Sequence, residues 1–245
     1  RDVAPSRGLG DVYKRQILSL PSPYGIGTLG REAYNFVDLL GDLKQKYWQV
    51  LPVGPTIFGD SPYQPSSGCA GNIYFIDLDK LVDEGLLEKE EILGYNWGTD
   101  ESEIDYAALH QNRCRILQKA FERFDTNAQD FQNFVKKQSE WLEQYALFMA
   151  LKTDNLYKNW SEWPSEYRNP QTVALEKYQK KNYNTITFWK FCQYKFFEQW
   201  EDLKNYANSK GVYIIGDISF YVGYDSVDVL SLIHISEPTR RSYIS

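Results

Sequence analysis

Twice in this chain an amphipathic helical stretch runs almost directly into a short apolar run with strand character. From Arg31 to Leu43 the residues Ala33, Phe36, Val37, Leu40 and Leu43 recur at helical spacing, and YWQVLPV follows, ended by Pro52 and Pro55. The second case is clearer. Trp189, Phe196, Trp200, Leu203 and Ala207 form one stripe from Ile186 to Ser209, Gly211 closes the helix, and VYII comes at once. That strand ends in Gly216 and Asp217. Helix and strand units with a polar residue at the strand's C-terminal end predict an α/β fold with a parallel sheet of barrel type, whose sites gather on that face.

Between these units the pattern changes. A loop rich in Gly, Pro and Ser runs to Asn72, long enough to suggest a role of its own, and a second short strand is predicted at Ile73 to Ile76. A helical region follows from about Asp105 to Leu151, with Leu117, Phe121 and Phe124 on one face and Trp141, Tyr145 and Phe148 on another. Thr126 and Gln129 are spaced as a capping box, which predicts a new helix after a break at Asp125. From Tyr157 to Asn184 the chain is polar, aromatic and irregular.

Both ends lack a pattern that joins them to their neighbours. RDVAPSRGLGDVYKRQ and LSLIHISEPTRRSYIS read like translated cloning sequence, so residues 1–16 and 230–245 are expected to be artefact and are set aside from fold reasoning. The single methionine is Met149, which leads to the expectation that Arg1 is not an ordinary start. Setting the ends aside removes His234 and leaves His110 as the one histidine for any chemistry. His110 has no Cys or second His at ligand spacing, so it reads as a surface or satisfied core residue.

Charge and cysteine usage narrow the function classes. With 33 acidic against 27 basic residues the net charge is −6, which disfavours nucleic acid as a partner. No apolar run approaches the ~20 residues of a membrane span, and no signal-peptide core is visible. Cys69, Cys114 and Cys192 are too far apart for a metal knuckle and too few for a disulfide framework. They are expected to be reduced and structural, in a cytoplasmic protein that needs no metal and no cofactor.

Three segments are candidates for chemistry. GIGTLG, Gly25 to Gly30, has the spacing of a dinucleotide-binding loop, but the preceding segment is broken by Pro21 and Pro23 and no acidic residue lies near Val50. Turn glycines are the better reading. GDSPYQ, Gly59 to Gln64, packs a carboxylate, a hydroxyl, a phenol and an amide into one loop after a buried strand. Sugar hydroxyls need such donors and acceptors, and a tyrosine ring offers a flat face to a pyranose. An ordinary turn explains the same residues on composition alone. Asp217 fits a site carboxylate and a solvated strand end equally well, whereas Asp225 and Asp228 read more simply as a solvated turn. One usable histidine leaves no Ser-His-Asp triad to argue, and no loop ends in Gly-Lys-Ser or Gly-Lys-Thr.

Taken in order, SLPSPYGIGTLG, YWQVLPVGPT, GDSPYQPSSGCAGN, WLEQYALFMALK and IIGDISFYVGYDSVDV resemble the amylomaltases, or disproportionating enzymes, of glycoside hydrolase family 77. Five motifs in register over residues 17–229 are far more specific than any one of them. The resemblance implies the N-terminal part of a (β/α)8 TIM barrel. Residues 17–79 would form the first barrel units and a glucan-binding loop, 80–185 a mostly helical insertion, and 186–229 a barrel helix and third strand. It also implies a 4-α-glucanotransferase acting on maltodextrin or another α-1,4-glucan by retaining transfer. Ser61, Tyr63 and Gln64 would line the glucan groove, and Asp217 would lie close to the sugar at the cleavage point. Phe58 takes the place of a family tyrosine at a second glucan site, which puts that site in doubt. No catalytic residue is assigned, since the family's catalytic carboxylates are expected downstream of Val229. An α-amylase-like hydrolase and a non-catalytic glucan-binding module are the alternatives.

Overall fold

The computed structural model describes residues 12–56, 61–98, 103–168, 173–219 and 223–232. In chain order these form β1 (Val12–Lys14), α1 (Arg31–Asp42), β2 (Tyr47–Gln49), α2 (Leu78–Asp83), α3 (Lys89–Leu93), α4 (Tyr106–Arg123), α5 (Gln129–Lys137), α6 (Ser139–Asp154), α7 (Val173–Lys181), α8 (Tyr183–Ser209), β3 (Tyr213–Ile215) and α9 (Val227–Leu232). The chain divides into two units, residues 1–53, 73–123 and 195–218 in the first, and 54–72, 124–194 and 219–245 in the second.

In the first unit the strands pair in parallel in the order β1-β2-β3. Parallel neighbours need long crossovers, and helices make them here: α1 lies between β1 and β2 in the chain, and α8 leads into β3. The register sets Val12 beside Tyr47 and Tyr47 beside Tyr213, so Tyr13, Trp48 and Ile214 share one face. That face takes α1. Phe36 sits edge-on to Trp48 at 5.0 Å and to Tyr13 at 5.6 Å, and Ala33, Val37 and Leu40 are wholly buried beside it. Tyr47, Tyr213 and Ile215 line the opposite face and stay exposed. The predicted helix from Arg31 and the strand at VYII thus form as expected, while residues 12–14 belong to the sheet. A three-residue strand is too short to show a period, so Val12–Lys14 carry no strand signal in the sequence.

The glycines of GIGTLG answer to close packing. A Cβ on Gly27 would stand 1.9 Å from the Ile17 carbonyl oxygen, and one on Gly30 would stand 1.9 Å from Oδ2 of Asp77. Gly30 is the N-cap of α1. The space before that helix, where a dinucleotide motif would cradle phosphate, is therefore filled by the chain's own carboxylate. Asp77 is buried and well satisfied: its carboxylate accepts from Thr28 Oγ1 at 2.5 Å and from the Lys80 amide, which caps α2. Its backbone is held too, since the Asp77 amide donates to Gln199 Oε1 and Gln199 Nε2 donates to the Asp77 carbonyl.

The predicted strand at Ile73 to Ile76 does not form. Ile73–Phe75 is a single 3-10 turn closed by the Ile76 amide donating to the Ile73 carbonyl. Ile73, Phe75 and Ile76 are all buried, and a short apolar run bounded by polar residues has the same pattern in either conformation.

Packed in the same unit, α4 buries Leu109, Ile116, Leu117 and Ala120 completely. Arg113 lies among them with its guanidinium 5.2 Å over Trp97 and Nη1 donating to the Ile76 carbonyl at 3.3 Å. Burial pulls its pKa down to about 10, with Asp77 opposing, so it stays charged at neutral pH. At the end of α4, Arg123 grips Glu91 through two hydrogen bonds of 2.7 and 3.1 Å. The Arg123 bond first, and the Glu88 amide second, hold the Glu91 carboxyl down to about 2 from an ordinary 4.5. A carboxyl depressed on folding stabilises above its unfolded value and loses that contribution as pH falls through its folded value. Glu91→Gln is therefore expected to flatten the stability-against-pH curve between pH 4.5 and about 2, the interval set by those two values. Urea titrations across that range check it, and an unchanged slope would contradict it.

The second unit is helical. Phe124, Phe131, Phe191 and Tyr194 form an aromatic cluster with ring centroids 4.8 to 5.9 Å apart. On α6, Tyr145 and Phe148 of the predicted face are buried together with Leu142, Ala146 and Leu151, whereas Trp141 is only half-buried. Two expectations are corrected. The predicted capping box at Thr126 and Gln129 is absent: Ala128 takes the N-cap without a side-chain bond, and Asp125 Oδ1 accepts from the Asn127 amide instead. That local turn at Asp125 does the work assigned to Thr126. The stretch read as irregular from Tyr157 to Asn184 contains α7 and the first two residues of α8. Only Leu175 and Tyr178 of α7 are buried, too few to make a legible stripe.

Candidate functional site

The loop that the sequence singles out is built from its base upward. Thr56 and Pro65 form an antiparallel bridge, and the Ser66 amide donates to the Pro55 carbonyl at 3.3 Å, so the chain between them leaves and returns at one place. Ser61 to Gln64 make a turn, with the Tyr63 amide donating to Ser61 Oγ and the Gln64 amide to the Ser61 carbonyl. Two side chains of that turn face outward, Tyr63 at 44% exposed and Gln64, whereas Ser61 is half-buried. Below them Pro65, Ser66 and Ser67 are buried. Phe58, with Gly59 and Asp60, lies outside the described residues.

The segment after β3 holds this loop along its length. Ser219 Oγ donates to the Pro62 carbonyl, the Gly223 amide to Pro65, the Val227 amide to Ser66, and the Gly68 amide to Asp228 Oδ2 at 2.9 Å. Gln193 of α8 holds the far end. It is wholly buried, and its amide accepts from the Gly71 N–H at 2.8 Å and donates to the Gly71 carbonyl at 3.0 Å. Asp225 and Asp228 are therefore no solvated turn. Asp225 pairs with buried Lys152 and accepts from the Trp160 amide, and Asp228 ties down the loop. Both look solvated in sequence because their partners lie some 70 to 160 positions away.

Asp217 stands two residues beyond β3, half-buried, with Oδ1 accepting from the Ile218 amide at 2.8 Å. It belongs to the first unit, whereas Ser61, Tyr63 and Gln64 belong to the second. Ser61, Tyr63 and Gln64 thus come together on one turn. His110 lies on the exposed side of α4. Sequence reasoning missed Lys152 and Gln193, although a signal exists for each: a lysine closing the apolar run ALFMALK, and a glutamine inside the aromatic-rich helical stretch FWKFCQYKFF. A polar residue on a buried face has to be hydrogen-bonded, so each marks a distant partner.

An exposed tyrosine beside a hydroxyl and a carboxamide can donate to, accept from and stack on a neutral polar ligand with a flat apolar face. Together with three parallel strands and their crossover helices, this defines an α/β protein consistent with part of a barrel. The model of the 4-alpha-glucanotransferase family, glycoside hydrolase family 77, matches residues 15–237, and the chain belongs to that family. The match extends beyond residues 17–229 at both sides. The chain is 44% identical over 216 residues to a 4-alpha-glucanotransferase of Clostridium butyricum, covering 88% of this chain and 44% of that protein. It is 45% identical over 224 residues to one of Streptococcus pneumoniae, covering 89% and 44%. The structure aligns with an amylomaltase from Streptococcus agalactiae in complex with acarbose at a TM-score of 0.85 and 40% identity, over 90% of this chain and 45% of that one. The chain thus spans less than half the length of the curated relatives it matches. No helix among the described residues is long and apolar enough to cross a membrane.

Proposed function

We propose that this chain carries the N-terminal, glucan-contacting part of a cytoplasmic 4-α-glucanotransferase that moves α-1,4-glucan segments between maltodextrins with retention. The observation that carries the reading is the outward display of Tyr63 and Gln64, beside Ser61, on a turn tied down from Pro62 to Gly68, in a chain of this family. In it Tyr63 stacks on a glucose ring, Ser61 and Gln64 bond its hydroxyls, and Asp217 approaches the sugar at the cleavage point. The sheet is the start of a (β/α)8 barrel, and the helices of residues 80–185 are an insertion in it. Retaining transfer needs two carboxyl groups ~5 Å apart across the scissile bond, one attacking the anomeric carbon and one protonating the leaving oxygen. In this reading both stand on strands beyond Val229, and a second glucan takes the place of water as acceptor.

The test uses the longest product of the gene that contains this chain. Incubation with maltotriose is expected to yield glucose together with longer maltodextrins; glucose and maltose with no longer product would make it a hydrolase. Tyr63→Ala is expected to weaken maltotriose binding by about 1 to 3 kcal/mol, through lost stacking area and an unpaired sugar hydroxyl. Unchanged affinity in that variant would remove Tyr63 from the site.

A further inference from the structure

Lys152 is almost fully buried at the end of α6, yet every donor of its ammonium is used. Nζ donates to the Tyr157 carbonyl at 3.2 Å, to the Lys158 carbonyl at 2.9 Å and to Asp225 Oδ2. Those two carbonyls follow Leu156 and Tyr157, which both hold positive φ, at 54° and 58°. The lysine thus closes a backbone turn that non-glycine residues adopt only when something holds them there. Asp225 carries the hold onward. Its Oδ1 accepts from the Trp160 amide at 3.1 Å, while the Trp160 indole N–H donates to the Tyr224 carbonyl at 2.7 Å. Residues 224 and 225 are therefore fixed to α6 and to the turn after it from two directions.

The neighbours of Asp225 in the chain grip the stretch that directly follows the Ser61–Gln64 turn: Gly223 donates to Pro65, Val227 to Ser66, and Asp228 accepts from Gly68. Between them, Ser226 is wholly buried, and its hydroxyl accepts from the Val229 amide to start α9. A buried ion pair costs desolvation, so its structural value lies in the geometry that it enforces. We infer that Lys152 and Asp225 are positioning residues for sugar binding: the pair sets segment 223–228, and that segment sets the height and register of the turn that displays Tyr63 and Gln64. The inference rests on the glucan reading of that turn, and the experiment separates the two.

In the longest product of the gene, Asp225→Asn keeps the side-chain shape and the bond from Trp160 but removes the charge that faces Lys152. The expected result is a KM for maltotriose raised about tenfold with kcat changed by less than about twofold, because uniform binding is lost while the reacting centre is untouched. Amide hydrogen exchange over residues 61–70 is expected to quicken in the same variant. Should Asp225→Asn fail to fold, Asp225→Glu retains the charge and adds one methylene. It should shift KM in the same direction by displacing the segment. A folded variant with unchanged KM overturns the proposal, whether or not exchange quickens, provided Tyr63→Ala weakens binding. Unchanged affinity in Tyr63→Ala is instead the failure of the glucan reading itself.

Discussion

Replacing Trp48 by alanine is expected to lower the unfolding free energy by about 3 to 5 kcal/mol, the range for deleting a fully buried large aromatic side chain. Trp48 is wholly buried in the middle strand of the sheet, so its neighbours cannot be replaced by water without opening the fold. Two separate contributions are lost. One is packing, chiefly against Phe36 of α1, whose ring lies 5.0 Å away at 64°. The other is the indole N–H, which donates to the Arg15 carbonyl at 2.8 Å and so fastens the end of β1 to β2 beyond the ladder itself. Trp48→Phe separates them, since it retains most of the area and removes the donor, and is expected to cost roughly 1 to 3 kcal/mol. Urea denaturation followed by tyrosine fluorescence measures both. A loss under about 1 kcal/mol for Trp48→Ala would mean that the sheet does not depend on this contact.

Gln193→Leu should be nearly as damaging, and for a different reason. Leucine fills much the same volume, so the cost is polar: the N–H and C=O of buried Gly71 are both left without partners. Each unsatisfied buried group costs about 1 to 3 kcal/mol, which puts the variant at roughly 2 to 6 kcal/mol. Gln193→Glu is expected to sit close to it, because a carboxylate still accepts from the Gly71 amide but repels the Gly71 carbonyl. The effect should also reach the loop, whose far end Gln193 holds, so under the proposed glucan reading maltotriose affinity should fall along with stability. Thermal denaturation and titration of maltotriose check the pair. Full stability in Gln193→Leu would show that Gly71 finds other partners at no cost.

The comparison of sequence with structure turns on how far apart the interacting residues lie. The helix from Arg31 and the helix ending at Ser209 are legible because a periodic apolar stripe is a local signal, and most of each stripe is buried, although Leu43 beyond the end of α1 is exposed and Trp200 is half-buried. The Ser61–Gln64 turn was legible as a cluster of turn-forming and sugar-compatible side chains, though composition alone did not choose between those roles. The misreadings are local ambiguities. Ile73 to Ile76 is apolar enough for a strand and forms a 3-10 turn, and Asp125 takes over a turn assigned to Thr126.

From the sequence alone came the two helix-then-strand units from Arg31 and from Ile186, the parallel α/β class, the acidic character and the loop that displays Tyr63. These follow from side-chain period, chain connectivity and residue chemistry, all of which are local. Tertiary structure decided the rest. It gave Asp77 the place before α1 where a glycine motif had suggested phosphate, turned Asp225 and Asp228 from solvated residues into anchors, and gave Lys152 and Gln193 partners that no spacing rule connects to them. A buried polar group advertises that it needs a partner; only the folded chain, which brings residues more than seventy positions apart to within 3 Å, determines which one it receives.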